Sequence, residues 1–241
     1  MTGESFLRAF HARRPGVTAR AFARGGSYAR LAERLSPGAR VLDLACGDGA
    51  LLALLGARAV GTDVSIDELR GLARTAQARA QALPFADHAF DAVVCHLAFM
   101  LFDEPPQVIA ELERVLVPGG ELFAVLGGGP TADGDDAYHR FLAILDRLPS
   151  PAPQLGDRRA RSEAGWRALM PGWQIDPFER WQLDLGGTFD EVWQVLGSSY
   201  ELAPESSEAV RDELRASCGD HVACNAVVYL ARATTPRSSA P

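Results

Sequence analysis

Short apolar runs alternate with amphipathic segments along the first half of the chain. The apolar runs have the length of buried strands, and they predict strands at Arg40–Ala45, Arg58–Thr62, Phe90–Cys95 and Glu121–Leu126, with a weaker one at Gln77–Ala80. Apolar residues at helical spacing predict helices at Ser27–Leu35, Ala50–Leu55, from Ser65 onward and at Pro105–Leu116, with Ser27 as an N-cap. Asp67 and Glu68 fall in the first turn of the helix from Ser65. Strands that alternate with helices at this spacing favour a parallel sheet with helices on both faces.

The second half of the chain follows a different pattern. Its apolar residues predict helices at Asp136–Leu148, Ser162–Met170, Thr188–Gly197 and Pro204–Ala216, and strands at Ile175–Leu185 and Val222–Ala231. Residues 1–26 are expected to be partly helical, Gly127–Pro130 to be a flexible exit, and the Ser- and Pro-rich tail at 234–241 to be frayed. We therefore expect one domain over 1–241, an α/β Rossmann-like open sheet. The sheet should be mostly parallel with an antiparallel last strand, and helical lid insertions should surround it.

Composition narrows the class of protein. Hydrophobic residues make up 47% of the 241 residues and charged residues 23%, as in ordinary globular domains. The net charge of −7 disfavours a nucleic-acid partner, which usually meets a basic surface. No apolar run is long enough to span a membrane, and no secretory signal is visible, so the sequence predicts a cytoplasmic protein. The spacing of histidines and cysteines predicts no metal site, and oligomeric state is not readable.

A glycine turn follows the first predicted strand. In the segment 41–49, VLDLACGDG, Gly47 and Gly49 let the backbone approach a ligand before a helix begins. A phosphate-binding loop is excluded because the chain contains no lysine. The dinucleotide pattern is also incomplete, because Leu52 stands where it has its third glycine. At the end of the second strand, Asp63 is placed to accept hydrogen bonds from the two hydroxyls of a ribose.

These residues resemble the class I S-adenosylmethionine (SAM)-dependent methyltransferases. The resemblance continues through 80–87 (AQALPFAD), 90–94 (FDAVV) and 111–120 (ELERVLVPGG), and covers roughly residues 38–127. The chain is most similar to small-molecule enzymes related to the ubiquinone and menaquinone C-methyltransferases. The resemblance implies SAM as the methyl donor. It also implies a SAM-binding core at about 27–127 with closing strands at about 173–185 and 222–232. The remaining segments, at about 1–26, 128–172 and 186–217, would form the lid or bind the substrate.

The resemblance also implies roles for single residues. Asp43 should orient the glycine loop, and Asp63 should bind the ribose hydroxyls. The other residues expected to contact SAM are Tyr28, Ala45, Cys46, Gly47, Val64, Ala80, Gln81, Cys95 and His96. One position departs from the family, which commonly has an aspartate that accepts from the adenine amino group where this chain has Arg79. A guanidinium has no acceptor, so the amide oxygen of Gln81 or a backbone carbonyl would have to replace the aspartate.

The predicted reaction is an in-line methyl transfer to a small aromatic or heterocyclic acceptor at O, N or C. His96 is a candidate general base, although a histidine that only contacts SAM is the alternative, and His139 is a second candidate. Aromatic and sulfur side chains could wall an apolar acceptor pocket, with core packing as the alternative for each: Phe10, Phe22, Phe99, Met100, Tyr138, Trp193 and Tyr200. The arginines at 158, 159 and 161 could meet an anionic group or lie in a solvated loop.

Two other functions remain open at this point. An RNA or protein methyltransferase would need an extended docking surface, which the negative charge disfavours. An Asn-Pro-Pro-Tyr-like motif for amino methylation is also missing at 95–98, where CHLA stands. A SAM-retaining, non-methylating enzyme of the cyclase type is the second alternative, because a fold and a cofactor do not determine a reaction.

Overall fold

A mixed sheet forms the centre of the computed structural model, which describes residues 2–237. Within those residues the sheet has eight strands: β1 Val41–Leu44, β2 Ala59–Asp63, β3 Thr75–Gln77, β4 Phe90–His96, β5 Leu116–Pro130, β6 Gln174–Ile175, β7 Glu179–Asp184 and β8 Asn225–Thr234. Their order is β3-β2-β1-β4-β5-β8-β6, and β7 pairs with β8 beside β6. The first five strands pair in parallel, whereas β8 is antiparallel to its neighbours. The predicted sheet with an antiparallel last strand is confirmed.

Helices cover both faces of this sheet. The α-helices of the described residues are α1 Gly3–Arg13, α2 Val17–Phe22, α3 Ser27–Ala32, α4 Ala50–Leu55, α5 Pro105–Val115, α6 Ala137–Leu145, α7 Glu163–Leu169, α8 Phe189–Leu196 and α9 Ser207–Ala216. One core cluster joins the sheet to α3, α4, α6, α8 and α9. The other joins it to α5 and α7 and contains the buried Trp166 and Phe99. The two faces follow from side-chain alternation along β1 and β4.

Strand β1 is buried throughout, and it pairs with β2 on one side and β4 on the other. A strand buried on both faces reads as a continuous apolar run, which is why the sequence locates β1 and β4 within a residue. No helix in the described part of the chain is long and apolar enough to cross a membrane.

The single strand predicted at Ile175–Leu185 is divided into β6 and β7. Pro177 lies between them, and proline cannot donate a hydrogen bond to a neighbouring strand. Strand β5 is longer than predicted, because Gly127–Pro130 continues it and pairs with the far end of β8. This pairing joins segments about a hundred residues apart, so local sequence gives no sign of it.

The helix expected from Ser65 does not form. The segment after β2 consists of turns, and Gly71 takes a left-handed φ of +79°. Glu68, predicted in a first helical turn, instead accepts from the Gly16 backbone N–H at 2.8 Å. The predicted N-cap Ser27 is also wrong, because Gly26 occupies the N-cap of α3.

The frayed tail predicted at 234–241 is only partly open to comparison, because residues 238–241 lie outside the described range. The start of that segment is ordered. Thr234 ends β8, and the Thr235 backbone N–H donates to the Gly120 carbonyl at 2.9 Å.

Candidate active site at the strand ends

A cavity opens where β1, β2 and β4 end. It encloses about 1110 Å³ of empty space, including space open to solvent. Each of these strands contributes a side chain to the cavity wall: Asp43 from β1, Asp63 from β2 and His96 from β4. Residues of α1 and Tyr200 line the cavity as well. Open parallel sheets bind ligands outside the carboxyl ends of their strands, so this is the expected place for a site.

The loop after β1 presents its backbone to the cavity. Ala45 takes a φ of +57° and Gly47 one of +52°, the left-handed region that favours glycine. A Cβ added at Gly47 would meet nothing within 4 Å. The Gly47 N–H donates to Asp63 Oδ2 at 3.0 Å, which fixes the loop against the end of β2. Cys46 lies in the same loop and also lines the cavity.

The wall of the cavity is acidic. Among the described residues that line it, one, Arg79, carries a guanidinium and six carry carboxyl groups: Glu4, Asp43, Asp48, Asp63, Glu68 and Asp103. Asp63 also accepts from the Ser65 N–H at 2.8 Å, and burial raises its pKa. Each carboxylate oxygen has capacity for a second hydrogen bond, so Asp63 can still accept from two ligand hydroxyls.

Asp43 is the most deeply buried of these acids, with 2% of its surface exposed. Burial, reinforced by the charge of Asp63, raises the pKa of Asp43 to about 8. Four buried side-chain polar atoms in residues 2–237 have no hydrogen-bond partner, and three belong to residues that line the cavity: Asp43 Oδ2, Thr62 Oγ1 and His96 Nδ1. An unpaired buried polar atom costs about 1–3 kcal/mol, so a polar ligand would relieve this cost.

His96, the last residue of β4, lines the cavity. Its Nε2 lies 2.8 Å from the Ser27 hydroxyl, and the Tyr28 ring stacks on the imidazole with ring centres 3.9 Å apart. Burial lowers the pKa of His96 to about 3. A base this weak is poorly matched to proton abstraction near neutral pH, so the environment favours a ligand contact over the predicted base.

Arg79, the departure noted in the sequence, points to α1. Its Nε donates to Glu4 Oε2 at 2.8 Å. Gln81 Nε2 donates to the Asp103 carbonyl at 2.7 Å, which leaves the amide oxygen of Gln81 as an acceptor beside Ala80. Val64 lines the same cavity. None of the described residues donates a hydrogen bond to this oxygen, so it is available to a ligand, and its contact with adenine stays a prediction.

Comparison with known proteins places these features in a family. Residues 42–124 match the family model described as "Methyltransferase domain". A demethylmenaquinone methyltransferase of Thermus thermophilus is 42% identical over 98 residues, which are 34% of this chain and 44% of that protein. Another of that name, from Renibacterium salmoninarum, is 38% identical over 164 residues, 62% of this chain and 67% of the relative. The chain belongs to the class I SAM-dependent methyltransferase family.

The solved structures agree on the fold of this methyltransferase. A Bacillus halodurans protein described as a methyltransferase superposes with a TM-score of 0.58 at 20% identity, covering 88% of this chain and 100% of the other. The match to the Thermus relative spans less than two thirds of that relative's length.

The structure brings most of the predicted SAM contacts of the methyltransferase together, with one exception. Ten of the predicted residues line the cavity: Tyr28, Asp43, Ala45, Cys46, Gly47, Asp63, Val64, Ala80, Gln81 and His96. Cys95 does not, because alternation along β4 turns its side chain into the opposite core cluster. Its proposed contact would have to come from the backbone.

The predicted acceptor pocket is largely core. Only Tyr200 of its seven predicted members is among the described residues that line the cavity. Phe99 and Met100 pack in the cluster beneath α5 and α7, and Phe22, Tyr138 and Trp193 pack against the other cluster. Phe10 is buried beside Tyr200, with ring centres 4.8 Å apart. Core packing buries Phe10, Phe99 and Met100 and partly buries the other three side chains.

His139 lies outside the cavity lining. Its Nδ1 is 2.7 Å from Asp136 Oδ1, its Nε2 is 2.8 Å from the Thr131 carbonyl, and the bond to Asp136 raises its pKa. Both ring nitrogens are thus used at the start of α6. Arg159, from the predicted basic cluster, pairs with Asp157.

Sequence reasoning missed several residues of the site, above all His11 and Glu68. Glu4, Leu7 and His11 recur at helical spacing and all line the cavity, so a polar face on the first helix was the available signal. The sequence predicts Glu68 in a helix that does not form. No pattern in the sequence around Glu68 indicates its hydrogen bond to His11 of α1.

Proposed function

We propose that this chain transfers the methyl group of SAM to a small acceptor with an aromatic or heterocyclic ring. The observation that carries the proposal is the group of buried unpaired atoms on Asp43, Thr62 and His96 in an acidic cavity. SAM carries a sulfonium and an ammonium group, and negative side chains attract such a ligand. Its ribose, adenine and amino-acid groups offer partners for unpaired donors and acceptors.

The residues around the cavity fit the parts of SAM. Asp63 would accept from the ribose hydroxyls, and the loop of Ala45, Cys46 and Gly47 would lie along the methionine part. Val64, Ala80 and Gln81 would surround the adenine, while Asp43, Tyr28 and His96 would lie at the methionine end. When bound, SAM supplies an electrophilic methyl group. The chain then has to orient the acceptor and exclude water.

The residues of α1 and Tyr200 that line the cavity favour a small acceptor. Glu4, Leu7 and His11 of α1, together with Tyr200, line this cavity, so the residues of segments 1–26 and 186–217 that line it are proposed to bind the acceptor. A nucleic acid or protein would need an open docking face, and the net charge of −7 disfavours the first. The two relatives named demethylmenaquinone methyltransferase support a quinol-like ring as the first acceptor class to test. The labelled product of the assay identifies the methylated atom.

The test is methyl transfer from tritium-labelled SAM to a panel of phenols, dihydroxynaphthalenes, amines and nitrogen heterocycles. We expect label to appear in a small hydroxylated aromatic product, with no transfer to RNA or to a mixed protein extract. SAM binding with no transfer to any member of the panel would favour the non-methylating alternative. Transfer to RNA or protein alone would contradict the small-acceptor proposal.

A further inference from the structure

Three side chains from distant parts of the chain form a hydrogen-bonded row in the cavity wall. His11 Nδ1 lies 2.8 Å from Glu68 Oε1, and His11 Nε2 lies 3.0 Å from the Tyr200 hydroxyl. Helix α1 carries His11, the turns after β2 carry Glu68, and the segment after α8 carries Tyr200. All three line the cavity, so their order is carboxylate, imidazole and phenol.

The carboxylate fixes the state of the imidazole. The Glu68 side chain is 3% exposed, and its second oxygen accepts from the Gly16 N–H at 2.8 Å. A carboxylate only accepts hydrogen bonds, so His11 Nδ1 must carry the proton that it shares with Glu68. In the neutral imidazole, Nε2 is then free to accept from the hydroxyl of Tyr200.

The phenol is held in place by aromatic packing. The Phe10 ring packs edge-on against the Tyr200 ring with ring centres 4.8 Å apart. The Phe6 ring packs the same way with ring centres 6.4 Å apart. Burial raises the pKa of Tyr200, so the phenol stays neutral and remains a donor to His11. The row is thus held at one end by the Gly16 N–H and at the other by the rings of Phe6 and Phe10, as a preorganised proton path requires.

We propose that Glu68, His11 and Tyr200 form a proton relay that takes the proton of an acceptor hydroxyl during methyl transfer. This rests on the proposed function and narrows its acceptor to a phenol, enol or hydroquinone. His11 is the final proton acceptor, Tyr200 passes the proton on, and Glu68 is a positioning residue. The other histidines that sequence reasoning favoured are less suited, since His96 is buried and His139 lies outside the cavity lining.

The relay moves one proton away from the acceptor while the new bond forms. The acceptor O–H proton passes to the Tyr200 oxygen while the proton of Tyr200 passes to His11 Nε2, which leaves an imidazolium beside Glu68. A lone pair of the acceptor oxygen forms the new O–C bond, and the electrons of the broken S–C bond return to sulfur. His11 is 20% exposed, so it can release the proton to water afterwards.

The experiment compares His11→Gln, Tyr200→Phe and Glu68→Gln with the wild type. The control is Arg8→Gln, an exposed position on the same helix outside the cavity lining. The assay uses labelled SAM with 1,4-dihydroxynaphthalene and catechol, and calorimetry measures S-adenosylhomocysteine binding. We expect His11→Gln and Tyr200→Phe to lower kcat about 100-fold while S-adenosylhomocysteine affinity stays within about twofold. Glu68→Gln should lower kcat with little change in the KM of the acceptor, and Arg8→Gln should leave both unchanged.

A second measurement does not depend on activity. NMR of ¹⁵N-histidine-labelled protein, assigned by the signals lost in His11→Gln, should show His11 as the Nδ1–H tautomer. The Nε2–H tautomer would overturn the relay, as would unchanged turnover in His11→Gln.

The relay and the proposed function fail in different ways. SAM binding without transfer to any hydroxyl probe, or transfer confined to ring nitrogens that have no proton to lose, would overturn the relay and leave the SAM site standing. A wild-type protein that binds neither SAM nor S-adenosylhomocysteine would overturn both.

Discussion

Burial acts in opposite directions on Asp43 and His96, two ionisable residues that line the cavity. It raises the pKa of Asp43 to about 8 and lowers that of His96 to about 3, because the charged form is penalised in both cases. At neutral pH each residue therefore favours its uncharged form. Sequence reasoning selected both positions, yet it could not give their protonation, which depends on how much of the fold covers them.

Asp43→Asn tests this environment through stability. The folded chain keeps a proton on Asp43 that the unfolded chain loses above pH 3.8, so this residue's contribution to stability falls as pH rises from 3.8 through about 8. We expect the free energy of unfolding of Asp43→Asn to exceed that of the wild type by about 1–3 kcal/mol at pH 9. The difference should be smaller at pH 5. Urea denaturation at both pH values measures it, with Asp133→Asn at an exposed position as the control. A difference that does not depend on pH would contradict the assignment.

At the scale of elements, the sequence locates the strands that carry the site better than the turns between them. Strands β1 and β4 are continuous apolar runs buried on both faces, and periodicity identifies such runs. The sequence predicts a helix where the structure has turns after β2, because Asp67 and Glu68 suit a first helical turn. The long-range bonds of Glu68 to Gly16 and His11 prevail over that local preference.

Gly61 in β2 shows how closely the glycine loop packs on its neighbouring strand. A Cβ there would lie 2.7 Å from both Cys46 Sγ and Leu52 Cδ1, so an added methyl group must displace the loop or the start of α4. We expect Gly61→Ala to lower the free energy of unfolding by about 1–3 kcal/mol, measured by urea denaturation. Gly219→Ala is the matched control, since its Cβ would meet nothing within 4 Å. An equal free energy of unfolding for the two variants would contradict this prediction, because it would show that the loop moves aside at no cost.

At the scale of the whole molecule, the site joins parts of the chain that no local pattern connects. The segment 41–63 supplies the loop and Asp63, and five of the eleven predicted SAM contacts lie in it. The cover comes from α1 and Tyr200, and His11 and Tyr200 are 189 positions apart. Their contact depends on how α1 folds back over the sheet, so sequence reasoning found Tyr200 only as one of seven aromatic and sulfur candidates and did not find His11.

The most direct test of the account is a calorimetric titration with S-adenosylhomocysteine. Wild-type protein should bind one equivalent with micromolar or tighter affinity. Asp63→Ala should weaken binding about 100-fold, because two hydrogen bonds to a half-buried carboxylate are lost. Asp67→Ala, a neighbouring acid outside the cavity lining, should bind within about twofold of wild type. No binding by the wild type, or equal affinity in Asp63→Ala, would contradict the claim that this cavity is the SAM site.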